Sequence, residues 1–166
     1  MKIRIEHQNL GAALLQIAEH PQFTAINSLQ IKTTKINNAF LINTNTALFL
    51  KYASGPNNNS SEYIFTFSAE QMGNIKNMHI SYAKLFFGLV CVEDREICCL
   101  TYDQFATMIQ ERKSLAKQDE ESYQILVTVK QGGSLRAYMN APGKKGQTAG
   151  EALVITRKSF PEALFG

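Results

Sequence analysis

Gly143-Lys144-Lys145-Gly146 sets two ammonium groups side by side between glycines, and Arg136 lies a few residues upstream. Residues of this kind suit contact with phosphate oxygens, since Lys and Arg bring charge and donors without reading a base. The run is not a P-loop, because the fixed glycine spacing ahead of Lys-Ser/Thr is absent. A solvated surface hairpin accounts for the same residues. A further lysine, Lys51, follows the apolar run Ala47-Leu48-Phe49-Leu50, where its stem can cover apolar surface while its ammonium stays in water. His7, His20 and His79 show no metal-ligand spacing and no nucleophile motif beside them. Cys91, Cys98 and Cys99 lie in apolar β-type sequence and read as reduced core thiols. No metal set and no cofactor are predicted.

At 166 residues, 45% hydrophobic and 19% charged, the chain has the size and composition of one folded domain. A net charge of +3 does not by itself mark a nucleic-acid protein. Its distribution is more telling: from Lys130 onward, Lys130, Arg136, Lys144, Lys145, Arg157 and Lys158 face only Glu151 and Glu162, while acidic turns fall at 93–96 and 119–121. The last third therefore presents an electropositive surface that an anion could use, or a merely solvated one. No apolar run reaches the roughly 18 to 20 residues that span a bilayer, and the start, Met1-Lys2-Ile3-Arg4-Ile5-Glu6, is charged where a signal peptide would be apolar. A cytoplasmic protein without membrane association is the expectation.

These residues need elements to hold them. Leu10, Ala13, Leu14 and Ile17 make one apolar stripe on a helix over 7–20, stopped by Pro21. The alternation of Leu29, Ile31 and Thr33 suggests one edge strand over 28–36. Residues 39–43 and 47–53 form a hairpin across Thr44-Asn45-Thr46, and the polar run 54–61 is a loop. Tyr63, Phe65 and Phe67 give the next strand one aromatic face, which suits base stacking or, better, core packing. Ser68-Ala69-Glu70-Gln71 and Thr101-Tyr102-Asp103-Gln104 are capping boxes that open two helices. Between them, the apolar run 85–92 pairs with 97–100 across the charged turn. Strands over 123–130, 135–140 and 151–156 follow, with a basic Gly-rich loop at 141–150 and a tail whose Phe160 and Phe165 pack back onto the body.

The order of helix, three strands, helix and strand between His7 and Val92 resembles the core of the restriction-endonuclease-like superfamily. The resemblance covers the first half of the chain and is one of element order. It implies an acid-x-Lys triplet that holds a divalent metal and positions water for phosphodiester cleavage. The matching triplet is Phe49-Leu50-Lys51. Lys51 stands where the superfamily lysine would be, and Phe49 replaces the carboxylate, although a phenyl ring cannot ligate a hard cation. The preceding strand offers Asn43 rather than Asp, and Glu62, or Glu6 or Glu19 from the first helix, could take over the acid's role. The resemblance thus implies Lys51 and Glu62 as the catalytic candidates of a rearranged or lost site.

The fold class expected is α+β: a mixed β-sheet with an αβββαβ-like N-terminal core over 1–115, and a β-rich C-terminal portion over 120–166 packed on it as one domain. The function expected is a small nucleic-acid-associated protein with a nuclease-like, catalytically degenerate core, in which Arg136, Lys144 and Lys145 contact phosphate. The alternative is a protein-interaction module, such as a defence or immunity accessory subunit, that works by docking to a partner. Whether the chain is an enzyme stays open at this level.

Overall fold

Five buried strand residues in a row, Thr46 to Leu50, mark the centre of the molecule, because a strand apolar on both faces needs cover on both. The computed structural model describes residues 1–57 and 61–166, and among these the side chains of all but 144 and 145; part of the loop expected over 54–61 lies outside them. Helix α1 (Ile5–Ala18) leads into β1 (Ile26–Ile31), β2 (Thr34–Ile42) and β3 (Thr46–Ala53). Then come β4 (Glu62–Phe67), α2 (Ala69–Ser81), β5 (Lys84–Cys91), β6 (Glu96–Thr101) and α3 (Tyr102–Ala116). The C-terminal part is β7 (Tyr123–Val129), β8 (Leu135–Tyr138), β9 (Asn140–Ala141), β10 (Lys144–Thr148), β11 (Leu153–Ile155) and a helical turn α4 (Ser159–Glu162). Among the described residues, no helix is long and apolar enough to cross a membrane.

The fold is α+β. The first sheet is mixed, in the order β1-β2-β3-β5-β6, with β3 and β5 parallel and every other pair antiparallel. Alternation along β3 sends Leu48 and Leu50 to one face, where Leu10, Ala13 and Ile17 of α1 cover them together with Phe160 and Leu164 of the tail. Ala47 and Phe49 face the other way, onto the inner side of a second, antiparallel sheet in the order β11-β8-β7-β4. That second core also takes Ile75 and Met78 from α2 and Phe105, Met108 and Ile109 from α3. Both helices begin as the capping boxes require: Ser68 Oγ accepts from Gln71 N, and Thr101 Oγ1 accepts from Gln104 N.

Two expectations need correction. The segment 28–36 is not one strand. Lys32 adopts a left-handed backbone (φ 57°), and the chain reverses there, so that Ile31 pairs with Thr34 and two antiparallel strands result. No Gly or Asn announces that turn. The strand bearing Tyr63, Phe65 and Phe67, expected within the αβββαβ-like core, does not join the strands before it; it pairs with β7 instead, Tyr63 opposite Val127 and Phe65 opposite Ile125. Its aromatic face is core, as packing favours, since all three rings are at most 1% exposed. Between α1 and α2 the chain therefore runs through four strands rather than three, and the last of them, β4, lies in the second sheet.

Two long-range polar contacts fasten the layers. Tyr63 Oη donates to Asp94 Oδ2 at 2.6 Å and accepts from Asp94 N at 3.0 Å, tying β4 to the turn between β5 and β6. Arg157 donates to Glu96 Oε1 at 2.5 Å, to Gly133 O at 2.7 Å and to Lys130 O, joining the start of β6 to the turn between β7 and β8.

Gly88 of β5 lets the tail settle on the first sheet: a Cβ there would stand 2.6 Å from Leu50 Cδ2 and 3.5 Å from the Phe160 ring. Overpacking of this kind costs about 1 to 3 kcal/mol. Gly88→Ala is expected at the low end of that range and Gly88→Val at the high end in urea denaturation, with Leu50→Ala in the same chain recovering part of the Gly88→Val loss.

Candidate functional site

Lys51 points from β3 into the space between the sheets, on the same face as Phe49. Its Nζ donates to Gln71 Oε1 at 3.2 Å and lies 5.0 Å from the centre of the Phe67 ring. Burial holds its ammonium below the usual lysine value. Gln71 Oε1 also accepts from Ser68 N, so the α2 capping box and Lys51 share one oxygen. Phe49 is packed against Phe67 at 6.1 Å and Phe87 at 6.3 Å between ring centres, in a cluster completed by Phe105. Asn43 has a left-handed backbone, and its side chain is spent on Thr24, Ala25 and Gln22. Among the described residues, no three His, Cys, Asp or Glu side chains converge to hold a metal ion. Around Lys51 the residues thus offer rings and amides rather than the hard oxygen donors a divalent metal wants.

Glu62 is not brought to Lys51. Tyr63, Phe65 and Phe67 must face the core, so period-two alternation turns Glu62, Ile64 and Thr66 to the outer face of the second sheet. There Glu62 meets a different set of residues. Glu62, Thr128, Arg136 and Val154 stand opposite one another across the four strands, followed by a row of Ile64, Leu126 and Tyr138 and a row of Thr66 and Gln124. Tyr138 Oη donates to Glu62 Oε2, two strands away. To reach that far across strands about 4.8 Å apart, the phenol must lie along the sheet over β7 instead of standing off it. Its ring is partly exposed and held at both ends. Arg136 is exposed, and among the described residues no hydrogen bond or ion pair engages it. Two residues beyond Tyr138 the chain enters the β9–β10 hairpin, which carries Lys144 and Lys145; their side chains lie outside the described residues.

A cavity of about 470 Å³ opens beside this face, between β7, the end of α3 and the β9 loop. Arg112 forms its wall. The guanidinium is held in a fork by Glu120 (2.6 and 2.8 Å) and donates a third bond to Asn140 O at 2.6 Å. The hydrogen bond to Arg112 holds the Glu120 carboxyl below its usual value and, reciprocally, raises the guanidinium. A second cleft of about 460 Å³, between the first turn of α1 and β2, is lined by Arg4, His7 and Lys35 with Glu6 among them.

The remaining chemistry-bearing residues serve packing. The three thiols are free and buried, and burial pushes Cys91 and Cys99 up to about 12 and Cys98 upward as well, so none is a thiolate at neutral pH. His20 stacks on Phe165 and faces Glu162 at 3.2 Å, while His79 stacks on Tyr102. Of the residues the sequence singled out, the structure therefore gathers Glu62 and Arg136 on one face and leaves Lys51 elsewhere. Tyr138 is the residue that sequence reasoning passed over. Its signal was present: Leu135, Ala137 and Met139 point inward, which leaves Arg136 and Tyr138 as neighbours outside. No protein-family model, curated protein or solved structure matches the chain.

Two pH dependences follow. Because the folded Lys51 ammonium titrates below 10.5, stability should rise as the pH climbs through the window just under that value, and Lys51→Met should remove this rise in urea midpoints taken along the pH scale. Because the folded Glu120 carboxyl titrates below 4.5, its contribution is present above that value and lost as the pH falls through the folded one. Glu120→Gln is expected to cost about 1 kcal/mol at neutral pH, with the gap to the parent closing in acid.

Proposed function

We propose that this chain is a nucleic-acid-associated protein that holds a single-stranded segment on the outer face of its second sheet and does not cleave it. The observation that carries the reading is Tyr138, laid across β7 by its bond to Glu62 beside the unengaged Arg136. An aromatic ring fixed flat on an open sheet accepts an unpaired base at little entropic cost, and each such stack is worth about 1 to 3 kcal/mol. Arg136 and the hairpin bearing Lys144 and Lys145 supply the charge for the phosphates. The likeness to restriction-endonuclease-like cores is one of element order between His7 and Val92, with the strands over 39–43, 47–53 and 63–67, the last of which lies in the second sheet. Phe49, seated among aromatic rings where that likeness calls for a carboxylate, argues for binding without hydrolysis.

One observation favours a second reading. Ile64 and Val154 are 38% and 55% exposed on this same face, which would suit the apolar centre of a protein contact.

The test is retention of labelled single- and double-stranded DNA and RNA at two salt concentrations, with and without magnesium or manganese. Salt-sensitive retention of single strands without cleavage is expected. Tyr138→Ala should weaken it about 5- to 160-fold, and replacing Lys144 and Lys145 together by Ala should reduce the salt dependence by about two phosphate contacts. Metal-dependent cleavage would overturn the non-hydrolytic part. No retention at low salt would transfer the face to a protein partner.

A further inference from the structure

The β9–β10 hairpin carries Lys144 and Lys145 but belongs to neither large sheet. Its strand β9 is two residues long, and the register with β10 slips between Lys144 and Thr148, so cross-strand bonding holds it weakly. A two-stranded hairpin by itself is marginally stable in water. Gly143 and Gly146, with left-handed backbones at φ 69° and 82°, add freedom. The position of the hairpin must therefore be set by something packed against it.

That support is α3. Phe105, Met108 and Ile109 face the second core, and Arg112 follows Met108 and Ile109 by four and three residues, so it leaves the helix at the rim of the same face. There its Nη1 donates to Asn140 O at 2.6 Å, at the first residue of β9. Glu120 aims the guanidinium by accepting from Nε and Nη2 at 2.6 and 2.8 Å, while Glu120 N donates to Tyr123 Oη at 3.0 Å. Because the guanidinium is planar, a fork closed on one edge fixes where Nη1 points. The far end of the hairpin rests on the neighbouring helix residue, since Gly150 leaves no room for a Cβ beside the Glu111 carboxylate. Next to it Ala149 is buried, and its N donates to Met139 O at 2.8 Å. Both ends of the hairpin thus meet consecutive residues of α3.

We propose that Arg112, aimed by Glu120, is a positioning residue for nucleic-acid binding, a role that rests on the binding reading above. It acts through Asn140 O, presenting the hairpin with Lys144 and Lys145 to the phosphates of a strand held on the Tyr138 face.

The experiment measures retention of a short single-stranded oligonucleotide of mixed sequence, as DNA and as RNA, across a salt series. Arg112→Lys keeps the charge but loses the planar fork that aims a donor. Glu120→Gln removes a negative charge, which by long-range attraction alone would tighten binding of an anion. Each variant is made in the parent chain and in the chain with Lys144→Ala and Lys145→Ala. In the parent, both should weaken retention about 2- to 13-fold, the worth of one hydrogen bond, and lower the salt slope toward that of the chain lacking the two lysines. In the chain lacking the lysines, neither should change retention. Equal weakening in the two backgrounds, unchanged binding by either variant, or tighter binding with Glu120→Gln overturns this inference and leaves the stacking surface standing. If removing the two lysines leaves the salt dependence unchanged, or nothing is retained at low salt, the phosphate reading fails and this inference with it.

Discussion

The parallel pairing of β3 with β5 is the constraint on which the rest of the molecule depends. Both strands are apolar on both faces, so the first sheet has no side that can meet water. One face is closed by α1 and the tail. The other is closed by the second sheet with α2 and α3, which is why the chain leaves the first sheet after β3 and returns only at β5. A consequence follows for function. The second sheet spends its inner face on this duty, and its outer face is the broad sheet surface left to solvent. The same packing that hides Phe65 and Ile125 presents Ile64 and Tyr138.

The aromatic cluster of Phe49, Phe67, Phe87 and Phe105 sets the surroundings of Lys51. The Phe49 ring, tilted against those of Phe67 and Phe87, contributes burial and aromatic attraction. A carboxylate in its place would be buried and need a cation or donors to offset its desolvation. Gln71 and the Phe67 ring instead give the ammonium of Lys51 one acceptor and one π face. The surroundings suit a lysine whose stem packs and whose charge is tolerated, at the cost of a lowered proton affinity.

Charge in the C-terminal third divides by the same logic. Arg157 is committed to Glu96 and to two carbonyls, and the neighbouring Arg112 and Lys113 of α3 to Glu120 and Asp119. These cations hold loops to the body and have little left for a ligand. Arg136 stands in the middle of the outer face, opposite Thr128 and Val154, where strand alternation keeps it in solvent. Counting positive residues along the chain merges the two kinds, whereas their partners separate them.

Local pattern sufficed for much of the architecture. Both capping boxes open their helices where Ser68 and Thr101 stand, the apolar run of β5 turns back on β6 at the charged turn, and the thiols are buried and free. The missed turn at Lys32 shows where local signals fail, since only register with β2 makes a left-handed lysine worthwhile there. The site was less legible than the fold. Glu62 meets Tyr138 across 76 residues, and Arg157 meets Glu96 across 61. The sequence by itself determined which residues of each strand share a face, because alternation is a property of the backbone. Only the tertiary structure decided which strand lies beside which, because an aromatic strand such as β4 fits any apolar sheet equally well until the cover demanded by β3 selects β7 as its neighbour, and with it the face on which Glu62, Arg136 and Tyr138 meet.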